Sequence, residues 1–250
     1  MIHPHMSVIC IIPARYNSSR FPGKLLAEAR GKTVLQRTFE SAAKCKRLDG
    51  LYVATDDERI SDHIRKIGGD VLWTSSTPRD GTERIIEAIR LHNQLNGADI
   101  ILNLQGDAPC TSPETMSAVI EALRSDPLAA VSTAAAPLRD QTEFFSPQAV
   151  KCVLDRSGNA LYFSRAPIPY STAISPALLH IGLYCYRKSL LDALTALPVT
   201  PLQEAENLEQ LKILEWGYRI KVAVVEEKTP SVDTPDDLVK LEEYLCRQNQ

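Results

Sequence analysis

The 250-residue sequence has no apolar run long enough to cross a bilayer and no excess of basic charge. The first absence excludes a spanning helix, which needs about 20 apolar residues in a row. The second, a formal net charge of -3, argues against nonspecific nucleic-acid binding, which rests on clustered Lys and Arg. Cys10, Cys45, Cys110, Cys152, Cys185 and Cys246 form no Cys-x-x-Cys pair and do not cluster with His, so no zinc site is expected. They read as reduced, mostly apolar residues of a cytoplasmic protein. The opening MIHPHMSVICIIP lacks the Lys or Arg of a secretory leader, and its apolar stretch, Val8 to Ile12, is too short for one. With Met6 as the start, Met1 to His5 would be an extension outside the fold.

Two familiar phosphate fingerprints are also missing. No Gly-x-Gly-x-x-Gly follows the first apolar run. A Walker A loop would need Gly at position 18 and Ser or Thr after Gly23-Lys24, where the chain has Ser18 and Leu25.

What is present is an alternation of short apolar runs with amphipathic stretches. VICII, LYVAT, DVLWT and DIILNLQ read as strands. Thr33 to Lys46, Glu58 to Ile67 and Thr82 to Leu95 have helical spacing. Such alternation predicts a doubly wound α/β sheet covered on both faces. After about Leu138 the regularity breaks. AVKCVLD, NALYFSR and HIGLYCYR read as strands joined by turns, with helices at Leu202 to Trp216 and Pro235 to Leu245 and the strand RIKVAVV between them. Pro167 to Pro176, rich in Pro, Ser and Thr, is the loosest segment. The expectation is one domain over residues 1–250. Its core is Rossmann-like with a mostly parallel central sheet, carrying a nucleotide-binding half at about 7–138 and a strand-rich half at about 139–250.

In open α/β sheets, ligands bind beyond the carboxyl ends of strands. The loop Pro13 to Gly23 sits there, and its N–H groups, with Arg15 and Lys24, are suited to phosphate oxygens; a solvated basic loop is the plain alternative. Asp107, after the strand in NLQGDAP, is placed as a ligand for a hard cation facing a nucleotide. It could instead cap the helix that starts near Pro113. Asp233, in SVDTPDDL, could equally be a helix start. ATDD and GTER lie at the same sheet end, with Asp56 and Thr82 as natural N-caps. Arg165, before a Pro-rich loop, suits an anionic substrate; a lone His180 is more often structural.

In order, the segments IIPARYNSSRFPGKLL, ATDD, GTER, NLQGDAP, KCVLDRSGNALYFSRAPIP, HIGLYCYR, LEQLKILEWG and VDTPDDL resemble the 3-deoxy-D-manno-octulosonate (Kdo) cytidylyltransferases, from Val8 to about Leu245. The resemblance implies a nucleotide-diphospho-sugar transferase fold. It also implies transfer of CMP from CTP to Kdo with Mg2+, release of pyrophosphate, a role in lipopolysaccharide inner-core synthesis, and a cytoplasmic homodimer; the strand-rich insertion around Lys151 to Arg187 is the expected interface. By similarity, Arg15, Lys24 and Asp107 are the catalytic group. Ala14, Arg15, Lys24, Ala54, Thr55, Gly81, Thr82, Gln105 and Gly106 meet CTP. Arg84, Arg165, His180, Tyr184, Glu209 and Gln210 meet Kdo, and Asp107 and Asp233 hold the metal. Ala108 stands where the family pattern Gln-Gly-Asp-Glu-Pro has Glu. An 8-amino-Kdo or sialic-acid enzyme, or a nucleotide-binding relative without catalysis, are the alternatives.

Overall fold

The computed structural model describes residues 6–18, 20–170, 176–226 and 229–248. The extension Met1 to His5, Ser19 and the centre of the Pro167–Pro176 segment lie outside them. The chain forms two compact units: residues up to 116 together with 229 onward, and residues 117–228. The sequence pattern had placed its change-over near 138. The units differ from that division because the C-terminal segment returns to pack with the first.

The first unit opens with strand β1 (Val8–Pro13), buried along its whole length. A small hairpin, β2 (Glu28–Ala29) and β3 (Lys32–Thr33), leads into helix α1 (Val34–Ala43), whose N-cap Thr33 accepts from Gln36 N–H. Strand β4 (Gly50–Thr55), helix α2 (Glu58–Lys66), strand β5 (Asp70–Trp73), helix α3 (Gly81–Leu91) and strand β6 (Ile100–Asn103) follow. β1 pairs in parallel with both β4 and β6, and β4 pairs in parallel with β5. The order β6-β1-β4-β5 means the chain winds one way from β1, then returns to its other side. That reversal is a topological switch point, and the loops after β1 and β6 leave from its two sides.

Two expected caps move by one or two residues. Asp57, not Asp56, caps α2 by accepting from Arg59 N–H, and Asp80, not Thr82, caps α3 by accepting from Glu83 N–H. A cap must precede its helix and reach the second or third amide, which Asp57 and Asp80 do. The third helix also stops at Leu91, and a 3-10 turn at Asn93–Leu95 covers the rest of the expected span.

The chain passes into the second unit along helix α4 (Pro113–Ser125). Strand β7 (Ala129–Pro137), helix α5 (Gln141–Phe145), strands β8 (Lys151–Leu154), β9 (Ala160–Ser164) and β10 (Leu178–Arg187), helices α6 (Lys188–Leu194), α7 (Pro201–Glu206) and α8 (Glu209–Glu215), and strand β11 (Arg219–Val224) build it. β7 pairs antiparallel with β10 and in parallel with β11, while β8 pairs antiparallel with β9 and β10. The sequence pattern did not announce β7. Its AAVSTAAAP is alanine-rich and favours a helix in isolation, but burial between two strands decides its state.

Helix α9 (Pro235–Gln248) closes the chain in the first unit. Leu241 and Val232 are fully buried with Ala29 and Val34. Among the described residues no helix is long and apolar enough to cross a membrane. Leu241→Ala should cost about 2–5 kcal/mol by the lost burial and the cavity left behind. The exposed Val239→Ala should change stability by less than about 0.5 kcal/mol. Chemical denaturation of the two variants checks the difference.

Candidate active site

Three segments of the first unit meet at one cation. Lys24 follows Gly23, which has a left-handed φ of 72°, and begins the short 3-10 turn after the first loop. Its Nζ lies 2.5 Å from Asp107 Oδ2 and 2.9 Å from Asp233 Oδ1. Burial alone would push the Lys24 ammonium down. The charge and hydrogen bond of Asp107, with those of Asp233, outweigh it and hold the group above its ordinary value. Arg20, which the sequence reading passed over, adds a second cation 3.0 Å from Asp233 Oδ1. Its signal was only its place in the same basic loop.

The helix-cap alternatives for both aspartates do not describe the structure. Ser112 Oγ accepts from Thr115 N–H at the start of α4, so Asp107 is not that helix's cap. At α9, Asp237 Oδ2 accepts from the N–H groups of Asp233 and Thr234, and Thr234 Oγ1 accepts from Asp237 N–H. The reciprocal Thr234–Asp237 box leaves the Asp233 carboxylate to Lys24 and Arg20. A backbone bond from Val232 N–H to the Asp107 carbonyl, 2.9 Å, ties the two acidic segments together.

Close packing of glycines shapes the rest. A Cβ on Gly106 would stand 3.2 Å from the Pro13 carbonyl and 3.3 Å from Leu25, so a side chain there would push the loops after β1 and β6 apart by a few tenths of an ångström. Thr38 on α1 donates to the Gly106 carbonyl at 2.9 Å and fixes it from below. A Cβ on Gly81 would stand 3.3 Å from Gln105 Oε1, which places the N-terminus of α3 against the Gln105 amide. Gln105 Nε2 donates to Asn103 Oδ1 at 3.0 Å. Asn103 is fully buried and was missed in the sequence; an amide closing the apolar run IILN was its one signal.

The other nucleotide candidates divide. Arg15 is exposed, with Nη1 donating to the Arg79 carbonyl at 3.3 Å. Ala14 N–H is engaged by the Ala54 carbonyl at 2.8 Å, and the Thr55 carbonyl by Thr74 N–H at 3.0 Å. Ala14, Ala54 and Thr55 are therefore buried floor, with the Ala14 amide already used within the protein. Thr82 lies in the first turn of α3, partly exposed. Arg84, grouped with the sugar ligands in the sequence, is buried in the first unit. Its Nη1 lies 3.1 Å from Asp56 Oδ1 and 2.5 Å from Thr74 Oγ1. Ala108 N–H closes a turn onto the Gln105 carbonyl at 3.1 Å, a backbone role that any non-proline residue can fill.

The remaining candidates lie in the second unit. His180 and Tyr184 share β10; the His180 ring is 4.9 Å from Phe163 and 5.4 Å from Tyr184. Desolvation pushes His180 down to about 3 and Tyr184 well above its ordinary value, so both rings are neutral at pH 7. Thr133 Oγ1 lies 2.8 Å from the Leu183 carbonyl and 3.0 Å from His180 Nε2. The hydroxyl thus ties the His180 ring to the backbone of its own strand. Gln210 is buried in the first turn of α8, next to the exposed Glu209. Arg165 Nε donates to the Glu206 carbonyl at 2.8 Å, Nη1 to the Pro147 carbonyl at 2.9 Å and Nη2 to the Asn207 carbonyl at 3.2 Å.

Two carboxylates that reach one cationic nitrogen form an oxygen donor set of the kind that holds a hard divalent cation together with substrate phosphates. Among the described residues no group of three or more His, Cys, Asp or Glu is placed to hold a metal ion. Asp107 and Asp233, which meet at Lys24, are the residues that could hold such a cation.

The cytidylyltransferase family model matches residues 9–221. A 3-deoxy-manno-octulosonate cytidylyltransferase of Protochlamydia amoebophila (strain UWE25) is 49% identical over 100% of this chain and 99% of its own. One of the same name from Chlamydia pneumoniae is 45% identical over 96% and 95%. The solved structure of CMP:2-keto-3-deoxy-manno-octonic acid synthetase complexed with CTP superposes with a TM-score of 0.91 at 35% identity, covering 97% of this chain and 99% of that one. A 4-diphosphocytidyl-2C-methyl-D-erythritol synthase from Anaerococcus prevotii, at 18% identity and a TM-score of 0.68, shares the fold. With these matches and the cation-centred switch point, the chain is a nucleotidyltransferase that belongs to the cytidylyltransferase family, in the group of the 3-deoxy-manno-octulosonate cytidylyltransferases.

Proposed function

We propose that the protein transfers CMP from CTP to Kdo, giving CMP-Kdo and pyrophosphate. The observation that carries this reading is Lys24 held between Asp107 and Asp233 at the switch point of a parallel sheet. CTP and Kdo are both anions, so cations have to receive them before they react. Arg15 and Lys24 take the triphosphate, and the Gly81–Thr82 turn with Gln105 takes the cytidine. Arg165, His180, Tyr184, Glu209 and Gln210 take the sugar.

Asp107 and Asp233 would hold Mg2+. When bound, the ion supplies charge neutralisation at the phosphate oxygens. The anomeric hydroxyl of Kdo attacks the α-phosphorus in line. A new P–O bond forms as the bond to the bridging oxygen breaks, pyrophosphate leaves with that electron pair, and the proton of the hydroxyl passes to solvent. Positioning and electrostatic stabilisation are the protein's contribution, and no covalent intermediate is needed. A cytoplasmic setting fits six cysteines that form no disulfide. A homodimer belongs to the same reading. Supply of the activated sugar for lipopolysaccharide belongs to the same reading.

Pyrophosphate release should require CTP, Kdo and Mg2+ together, stop with a chelator, and be faster with Kdo than with 8-amino-Kdo or N-acetylneuraminate. No release above background at saturating Mg2+ would remove the catalytic reading. Asp107→Asn should retain its melting temperature within a few degrees and turn over at about 1% of wild type or less. Lys24→Ala loses charge-assisted bonds of about 1.5–3 kcal/mol, so kcat/KM for CTP should fall about 10- to 100-fold. An unchanged value excludes Lys24 from the phosphate role.

His180 gives a pH prediction. Its folded value lies below its unfolded one, so between the two the unfolded chain binds more protons. Its stabilising contribution is full above about 6.5 and is lost as pH falls toward the folded value of about 3. Denaturant titrations over this range should show stability falling with pH, with a shallower slope in His180→Phe. An identical slope in the two proteins would assign the acid sensitivity elsewhere.

A further inference from the structure

Lys151, the first residue of β8, has no exposed surface. Its ammonium donates to three backbone carbonyls: Ser146 at 2.9 Å, Ala149 at 2.6 Å and Arg165 at 2.6 Å. Every donor of the ammonium is therefore used, and none meets a carboxylate. Burying a cation is costly, and an apolar side chain of similar volume serves packing at least as well. A lysine here implies a geometric requirement that a methionine would not meet.

The geometry it fixes is that of Arg165. The Glu206 carboxylate accepts Arg165 N–H at 2.8 Å through Oε2 and the Ser164 hydroxyl at 2.6 Å through Oε1. Lys151 holds the Arg165 carbonyl. With the N–H and the C=O of one residue both anchored, its φ and ψ are set, and so is the direction of its Cα–Cβ bond. A guanidinium has five N–H donors, and the three bonds to the carbonyls of Glu206, Pro147 and Asn207 leave two. The three carbonyls set the plane of the guanidinium and so the direction of those two, and the held backbone sets the base from which the side chain reaches them. Burial pushes the Lys151 ammonium down, with Glu206 opposing; three carbonyl acceptors nevertheless suit only its protonated form.

We propose that Lys151 is a positioning residue for the acidic sugar: it clamps the Arg165 carbonyl so that the two remaining N–H groups of the Arg165 guanidinium are presented to the substrate carboxylate. The inference rests on the reading of Arg165 as a Kdo contact. Glu206 is its counterpart on the amide side.

The test is steady-state kinetics of full-length Lys151→Met, Glu206→Gln and Arg165→Ala, varying Kdo and CTP separately, with Kdo binding followed by calorimetry. Lys151→Met is expected to raise KM for Kdo at least tenfold and weaken Kdo binding in parallel, with KM for CTP within twofold of wild type. A purely structural lysine would lower the melting temperature and leave the ratio of the two KM values unchanged, which overturns the proposal. If Lys151→Met does not fold, Glu206→Gln carries the test. It keeps an acceptor for Arg165 N–H but loses the charge. A selective rise in KM for Kdo supports the clamp, and unchanged selectivity overturns it. If Arg165→Ala leaves KM for Kdo unchanged, the Arg165 reading fails and the clamp with it. If Arg165→Ala raises KM for Kdo while folded Lys151→Met does not, the clamp alone fails.

Discussion

The ammonium of Lys24 is the contact on which the first unit's chemistry depends. It draws together the loop after β1, the loop after β6 and the segment entering α9, which lie 83 and 209 residues away from Lys24 along the chain. Two carboxylates aimed at one point repel each other unless a cation stands there. Lys24 supplies that cation in the protein alone, and the same two carboxylates suit a divalent ion when a nucleotide brings its own negative charge. The side chain is 12% exposed, so these interactions are less screened than surface pairs.

The scaffold keeps this point open by engaging its neighbours elsewhere. The Thr234–Asp237 box and the Ser112 cap satisfy the starts of α9 and α4 without using Asp233 or Asp107. Arg84 is tied to Asp56 and Thr74, and the Ala14 amide is tied to Ala54. The carboxylates of Asp107 and Asp233 are left to Lys24 and Arg20. Asn103 and Thr38 act one layer lower. Each is buried among apolar residues and makes a hydrogen bond that orients a group named in the sequence, Gln105 for one and Gly106 for the other.

The second unit uses a different arrangement. His180, Tyr184 and Phe163 form an aromatic group from which desolvation has removed charge. Neutral rings offer packing surface and single hydrogen bonds. The charge of this unit's candidate site is that of Arg165, and Lys151 and Glu206 hold its backbone from opposite sides.

Much of this was legible in the residues. Apolar runs and helical spacing marked the four parallel strands and helices α1, α2 and α3 of the first unit, because a strand buried on both faces and an amphipathic helix leave different periods. The motifs named Lys24, Asp107 and Asp233, since titratable residues beyond strand ends carry chemistry that their neighbours do not. The tertiary structure decided which of them meet. Cap positions shifted to Asp57 and Asp80 because capping depends on a dihedral and a reach, which composition does not record. The alanine-rich β7 became a strand because two partners enclosed it. Arg20 acquired its role from Asp233, 213 residues away, and Arg84 from Asp56 on a neighbouring loop, while Asn103 and Lys151 acquired theirs from nearer partners that only the fold turns toward them, for a hydrogen bond is set by position in space, and the sequence by itself determines only which groups are available to make one.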